Sequence, residues 1–116
     1  MGDSYKLGHR AIVGFEKKLP RGIRRIVLDV LKPHTPRLTD LAIMISRDEH
    51  VSGVNISVKE VYANTESITI ILEGNDLQYD TVKEILQEAS AVVHSIDQVV
   101  AGKQLIEEVT LQPENS

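Results

Sequence analysis

Apolar and polar residues alternate along three stretches of the chain, with the period of two residues that is typical of a β-strand. SGVNISVKEV and SITIILEG are two of them, and the polar turn between them predicts that they pair as a hairpin. Besides the three alternating stretches, a fourth strand is predicted over VVHSIDQVVAG, and an additional edge strand over QLIEEVTLQ after Gly102. The remaining alternating stretch, IRRIVLDVLK, divides its side chains between one face with Ile26, Leu28 and Val30 and another with Arg25, Val27, Asp29 and Leu31.

Two stretches between these strands show the spacing of an amphipathic helix. The first follows Pro33, with Thr35 as the predicted N-cap and Pro36 as the first helical residue. The second is YDTVKEILQEA, with Asp76 or Asp80 as the predicted cap. The order β-α-β-β-α-β predicts an α+β, ferredoxin-like sandwich, in which a four-stranded antiparallel sheet of order 4-1-3-2 carries both helices on one face.

The length of 116 residues fits one domain, which we place at residues 22–112, with a tail at 113–116. Residues 1–21 contain glycines and a proline without a sustained period, so they are predicted to be an extension outside the domain. The chain has a net charge of −4, but residues 1–25 hold seven basic and two acidic residues, a balance of +5. This basic arm is a candidate contact for nucleic acid. The scarcity of aromatic residues makes nucleic acid the less favoured partner, because stacking platforms are missing.

Several classes of protein are excluded by composition. The chain has no cysteine, which excludes disulfides, thiolate zinc sites and a cysteine nucleophile. No apolar run reaches the roughly 20 residues that span a bilayer, and the start lacks the apolar segment of a secretory signal. We therefore expect a cytoplasmic protein that does not contact membranes.

The sheet face without helices carries a mixture of side chains. Val27, Leu31 and Ile71 lie there beside polar residues such as Asp29 and Lys59. Such a face is either an ordinary solvated surface with scattered aliphatics or a subunit interface. The unpaired outer edges of the sheet invite pairing between chains, which favours self-assembly.

Four blocks of the sequence resemble a known family: RRIVLDVLKPHTP, GVNISVKEV, ITIILEGNDLQYDTVKEILQE and VVHSIDQVVAGKQLIEEV. They are similar to the small archaeal family called domain of unknown function 211, over about residues 22 to 112. The resemblance implies a ferredoxin-like fold and ring-shaped homo-oligomers, for a family without an established biochemical activity. The first 21 residues depart from the family pattern.

Candidate chemistry centres on Asp29. If the end of the first strand pairs with the start of the fourth, Asp29 faces Asp97 and Lys32 lies near His94. Two facing carboxylates cost energy unless a cation, a shared proton or a neighbouring Lys or Arg compensates, and calcium or magnesium is the natural candidate for a cation. The alternative is that both acids are solvated, or are paired with Arg25 or a neighbouring subunit.

His34 and His94 are predicted to lie at the same end of the sheet. With Lys32 they suggest an anion or metal pocket beside the first helix, so the predicted metal residues are Asp29, Asp97, His34 and His94. The alternative is a structural role, since a lone loop histidine is more often a hydrogen-bonding residue.

No catalytic motif can be read, so no catalytic residue is assigned and a non-enzymatic role is preferred. The favoured hypothesis is a self-assembling scaffold or binding protein that requires no cofactor, with calcium or magnesium as a candidate ligand. The alternative is a small-molecule sensor resembling amino-acid-binding regulatory domains of the same topology, which is an argument by analogy. Nucleic-acid binding through the basic arm is the third and least favoured hypothesis.

Overall fold

The structure, a computed structural model, describes residues 19–109. Four strands form one sheet in the order β2-β3-β1-β4, and all neighbouring pairs are antiparallel. The predicted strand order is therefore confirmed. The elements are β1 Ile23–Pro33, α1 Leu38–Ser46, β2 Val51–Val61, β3 Thr65–Gly74, α2 Tyr79–Glu88 and β4 Val92–Ala101.

The core lies between the sheet and the two helices. Alternate side chains of β1 and β3 are buried, and α1 and α2 pack on them through Leu41, Ile45, Val82 and Leu86. Removing these aliphatic groups from water is the main favourable term in folding, at roughly 25 cal/mol per Å² of apolar surface. The predicted ferredoxin-like α+β sandwich is confirmed, including the inward positions Ile26, Leu28, Val30, Ile68, Ile70 and Leu72.

The N-caps of both helices differ from the predicted residues. The N-cap of α1 is Arg37, whose carbonyl accepts the amide of Leu41 at 2.9 Å, so the prediction of Thr35 as N-cap is wrong. The Arg37 guanidinium instead pairs with Asp40 in the first turn, where a carboxylate is favoured by the helix dipole. The N-cap position of α2 is Gln78, so the prediction of Asp76 or Asp80 is wrong. Asp76 takes a left-handed conformation with φ of 56° and donates its amide to the Arg21 carbonyl, and Asp80 lies inside the first turn.

The segment after β4 does not extend the sheet over its described part. Residues 103–109 form no strand, and positions 110–112 of the predicted edge strand lie outside the described residues. Gly102, at φ of 110°, turns the chain and donates its amide to Gly22 at 2.8 Å. Arg25 then holds the segment through a bidentate pair with Glu107, both contacts at 2.9 Å.

Most of the predicted N-terminal extension, residues 1–18, lies outside the described residues, and with it most of the basic arm. Its last residues contact the turn that follows β3. The Arg21 amide donates to Asn75 Oδ1 at 2.7 Å, and Asn75 Nδ2 donates to the Leu19 carbonyl at 3.3 Å. The described end of the extension is thus fixed to the domain.

Candidate functional site

The face of the sheet opposite the helices carries a cleft of about 500 Å³ near the β2–β3 turn. Residues from all four strands line it, so the cleft crosses the full width of the sheet. Its polar side chains include Asp29, Lys59, Glu60, Tyr62, Ser67 and His94. Two of the four predicted metal residues, Asp29 and His94, therefore line one cleft.

Asp29 lies in the wall of this cleft, with 17 % of its side chain exposed. Its Oδ1 accepts a hydrogen bond from Ser67 Oγ at 3.4 Å and lies 3.5 Å from Lys59 Nζ. Within residues 19–109, Oδ2 accepts no hydrogen bond from a side chain or backbone donor. One oxygen of this carboxylate is therefore left for water or a ligand.

The predicted pairing of Asp29 with Asp97 is wrong. Asp29 lies opposite Ser95, and the Ser95 hydroxyl donates to Asp97 Oδ1 at 2.6 Å. The register of β4 against β1 shifts at His94 and again at Asp97, because each is an extra residue in a bulge. The two carboxylates consequently do not face each other, and Lys32 does not lie opposite His94.

A bulge in β2 brings two successive charged residues to the cleft. The register against β3 shifts between Val58 and Glu60, so that both Lys59 and Glu60 line the same cleft, which a regular strand would not allow. The Tyr62 hydroxyl donates to Glu60 Oε1 at 2.9 Å, and this hydrogen bond raises the pKa of Tyr62. Sequence reasoning missed this group because no local pattern marked the bulge.

His34 belongs to a different cluster, at the end of β1 on the helix side. Its Nδ1 lies 3.1 Å from Glu66 Oε1, and its Nε2 lies 3.2 Å from the carbonyl oxygens of both Tyr62 and Ala63. Glu66 also accepts a hydrogen bond from Lys32 Nζ at 3.1 Å. Lys32 donates to the Pro33 carbonyl as well, at 2.7 Å, and its side chain is fully buried. The structure therefore does not bring His34 and His94 into one site.

Both ring nitrogens of His34 face acceptors, which favours the doubly protonated imidazolium because only that form donates from both nitrogens. The hydrogen bond to Glu66, followed by the one to the Ala63 carbonyl, raises the pKa of His34 above its usual 6.5. The same contact with His34, together with Lys32, lowers the pKa of Glu66 below its usual 4.5. This cluster fastens the chain after β1 to the β2–β3 turn that borders the cleft.

The His34–Glu66 contact predicts a stability that depends on pH. A raised histidine pKa contributes stability that is fully present below the unfolded value of 6.5 and is lost as pH rises through the folded pKa. The lowered pKa of Glu66 contributes stability that is present above 4.5 and is lost as pH falls through the folded value. We expect His34→Gln to lower the free energy of unfolding most between about pH 4.5 and pH 6.5, and progressively less toward alkaline pH.

Urea denaturation of wild type and His34→Gln from pH 4 to pH 9 measures this difference. In a Glu66→Gln background, the pH dependence of the difference is expected to become smaller, because the ionic partner is gone and only the backbone carbonyls of Tyr62 and Ala63 still favour the imidazolium. A difference between wild type and His34→Gln that stays constant across this range would contradict the assignment.

The described residues contain no cluster of three or more His, Asp or Glu side chains that could hold a metal ion. At the cleft, the Lys59 ammonium lies beside the carboxylate oxygen that a cation would use. Binding of calcium or magnesium by Asp29, Asp97, His34 or His94 stays a prediction.

Comparison with known proteins bears on this fold. A family model described as an uncharacterised archaeal group, domain of unknown function 211, matches residues 24–115. The chain belongs to this family. An uncharacterised protein of Methanocaldococcus jannaschii is 50 % identical over 88 residues, which cover 76 % of this chain and 91 % of that relative. The family resemblance predicted from the four sequence blocks is confirmed.

These comparisons place the chain in an uncharacterised family and attach no activity to the cleft. Within residues 19–109, no helix combines the length and the apolar character that are needed to cross a membrane.

Proposed function

We propose that this family member is a non-enzymatic protein that assembles with copies of itself and binds a small ligand in the Asp29 cleft. The observation that carries the assembly is the edge strand β4. Its outer edge is unpaired within the described residues, and it exposes Val92, Ile96 and Val99 by 64 %, 48 % and 52 %. An edge strand with exposed aliphatics is a template for pairing with another chain.

Two of these side chains lie on the side of the sheet that bears the helices. Ile96 and Val99 lie opposite Leu28 and Ile26, which are core residues, yet remain about half exposed. The helices thus leave the β4 margin of the core open. A second copy that covers this margin would continue the apolar core across the subunit boundary.

The other edge of the sheet has a comparable character. The outer strand β2 exposes Val58 and Val61, by 43 % and 65 %, and its outer edge is likewise unpaired within the described residues. Pairing β4 of one copy with β2 of the next would be heterologous, and heterologous contacts generate rings when the rotation closes. This supports the ring-shaped assembly that we propose.

Charged substitutions on the β4 margin test the assembly. Wild type is expected to sediment as an oligomer at micromolar concentration, and Ile96→Lys with Val99→Lys is expected to shift it toward the 12.9 kDa chain, because two ammonium groups would be buried without partners. Ile43→Lys is the control for the β4 margin, since Ile43 is 54 % exposed and lies on α1, which among the described residues packs on β2 and α2 and not on β4. Sedimentation velocity of a wild type that is monomeric, or a control variant that dissociates equally, would refute the proposal.

The cleft supports the ligand-binding part of the proposal. Its volume of about 500 Å³ lies within the roughly 300–1,000 Å³ of small-molecule sites. A sensor of small molecules is the related second function that this cleft favours, with the ligand altering the assembly. Calcium or magnesium, bound through Asp29 and His94, is the competing class of ligand for this cleft.

A further inference from the structure

We infer that the Asp29 cleft binds a small organic ammonium ion, with Asp29 and Glu60 as the residues that accept its hydrogen bonds. This inference rests on the ligand-binding part of the proposed function and is independent of the assembly.

The contact between Lys59 and Asp29 is the first argument. The Lys59 ammonium lies 3.5 Å from Asp29 Oδ1, and half of the Lys59 side chain is exposed. The cleft therefore already holds an alkylammonium group beside a carboxylate. Since this group comes from the protein on a flexible stem, it shows which chemistry the site accepts.

Acceptors that the protein leaves unused are the second argument. Within the described residues, the contacts of Asp29 engage Oδ1 and the contact of Glu60 engages Oε1. Asp29 Oδ2 and Glu60 Oε2 thus remain for a donor from a ligand. An ammonium group has three donors and no acceptor, so its chemistry matches carboxylate oxygens that lack a donor.

The charge balance selects among ligands. Asp29 and Glu60 contribute two negative charges to the cleft and Lys59 contributes one positive charge, which leaves −1. Phosphate and carboxylate ligands are disfavoured by this sign. A monovalent cation neutralises the cleft with Lys59 in place, whereas a divalent ion at the same position would leave a net positive charge and meet twice the repulsion from the Lys59 ammonium.

The apolar lining suits an alkyl group. Leu31 is 41 % exposed and Tyr62 is 47 % exposed, and both line the same cleft. A tyrosine ring also attracts a cation at close range, by roughly 0.5–1 kcal/mol at exposed sites. The ligand class that fits is therefore a primary amine with a short alkyl chain.

An NMR titration of the full chain tests the inference, with n-butylammonium chloride as the probe and sodium butyrate as the probe of opposite charge. The backbone amide signals of Asp29, Ser67 and Tyr62 are expected to shift saturably with butylammonium and not with butyrate. Asp29→Asn should weaken butylammonium binding about tenfold or more, since charge-assisted hydrogen bonds are lost. Asp40→Asn on α1, whose carboxylate pairs with Arg37, should leave binding unchanged.

Lys59→Met distinguishes a binding site from a merely structural ion pair. Removing the competing ammonium should strengthen butylammonium binding, because the cleft then carries −2 and Asp29 Oδ1 is freed. Weaker binding in this variant, equal binding of butyrate, or an unchanged affinity in Asp29→Asn would overturn the inference. Displacement of butylammonium by calcium or magnesium chloride through shifts at Asp29 and His94 would assign the cleft to a divalent metal instead.

Light scattering on the same samples separates this inference from the assembly. Asp29→Asn is expected to keep the oligomeric state of wild type, and Ile96→Lys with Val99→Lys is expected to keep butylammonium binding. If Asp29→Asn loses butylammonium binding but keeps the mass of wild type, the result bears on the ligand cleft and not on the assembly. If Ile96→Lys with Val99→Lys lowers the mass but keeps butylammonium binding, the result bears on the assembly and not on the ligand cleft.

Discussion

Replacing Glu66 with glutamine is expected to lower the free energy of unfolding by about 3 kcal/mol, at the lower end of the ~3–5 kcal/mol found for breaking a buried ion pair. The reason is Lys32, whose ammonium group is fully buried and would keep only the Pro33 carbonyl and an uncharged amide as partners. Glu66 itself retains 13 % exposure, which places the effect at the lower end. Urea denaturation at pH 7 measures it.

The matched control for this variant is Glu73→Gln on the same strand. Glu73 pairs with Arg25 on the opposite face of the sheet and is 45 % exposed, so its loss should cost less than about 1 kcal/mol. Adding Lys32→Met to Glu66→Gln should restore part of the stability, because the uncompensated charge is then removed. If Glu66→Gln and Glu73→Gln lowered the free energy of unfolding equally, the Lys32–Glu66 pair would behave as a solvent-exposed ion pair, and this prediction would be wrong.

Gly74→Ala is expected to destabilise the protein by about 1–3 kcal/mol, the range for overpacking a well-packed site. Gly74 is buried at the end of β3, and a Cβ there would collide with the backbone carbonyl of His50 and press on Leu77. The His50 carbonyl cannot move freely, because it accepts the Asn75 amide at 3.0 Å. Thermal or urea denaturation of the variant measures the loss.

Gly53→Ala, in the neighbouring strand β2, provides the comparison. A Cβ at Gly53 would meet no atom within 4 Å, and the residue lies on an exposed edge strand. Restricting the unfolded chain should make this variant neutral or more stable by about 0.4–1 kcal/mol. A Gly74→Ala variant that is as stable as Gly53→Ala would contradict the close approach at His50.

Periodicity along the sequence was sufficient for the fold. The alternation in β1 and β3 fixed which side chains enter the core, because a strand reverses the direction of its side chains at every residue. It also contained an unused signal for the Lys32–Glu66 pair. Lys32 continues the buried series Ile26, Leu28 and Val30 by one step, and Glu66 precedes the buried series of β3 in the same phase.

The candidate site depended on features that alternation does not report. Lys59 is an extra residue in the pairing of β2 with β3, and His94 and Asp97 are extra residues in the pairing of β4 with β1. Each of these bulges shifts the register of every later cross-strand contact. A register extrapolated from the strand order alone therefore paired Asp29 with Asp97, where the folded chain pairs it with Ser95.

The sequence by itself determined the family, the order of the elements and the core face of the sheet, since these follow from local periodicity and from blocks of residues in a fixed order. Only the tertiary structure decided that Asp29 and His94 share a cleft with Lys59 while His34 binds Glu66 on the other side of the sheet. The physical reason is that a bulge is stabilised by contacts between distant strands. Its position is consequently set by packing across the sheet and not by the residues next to it in the chain.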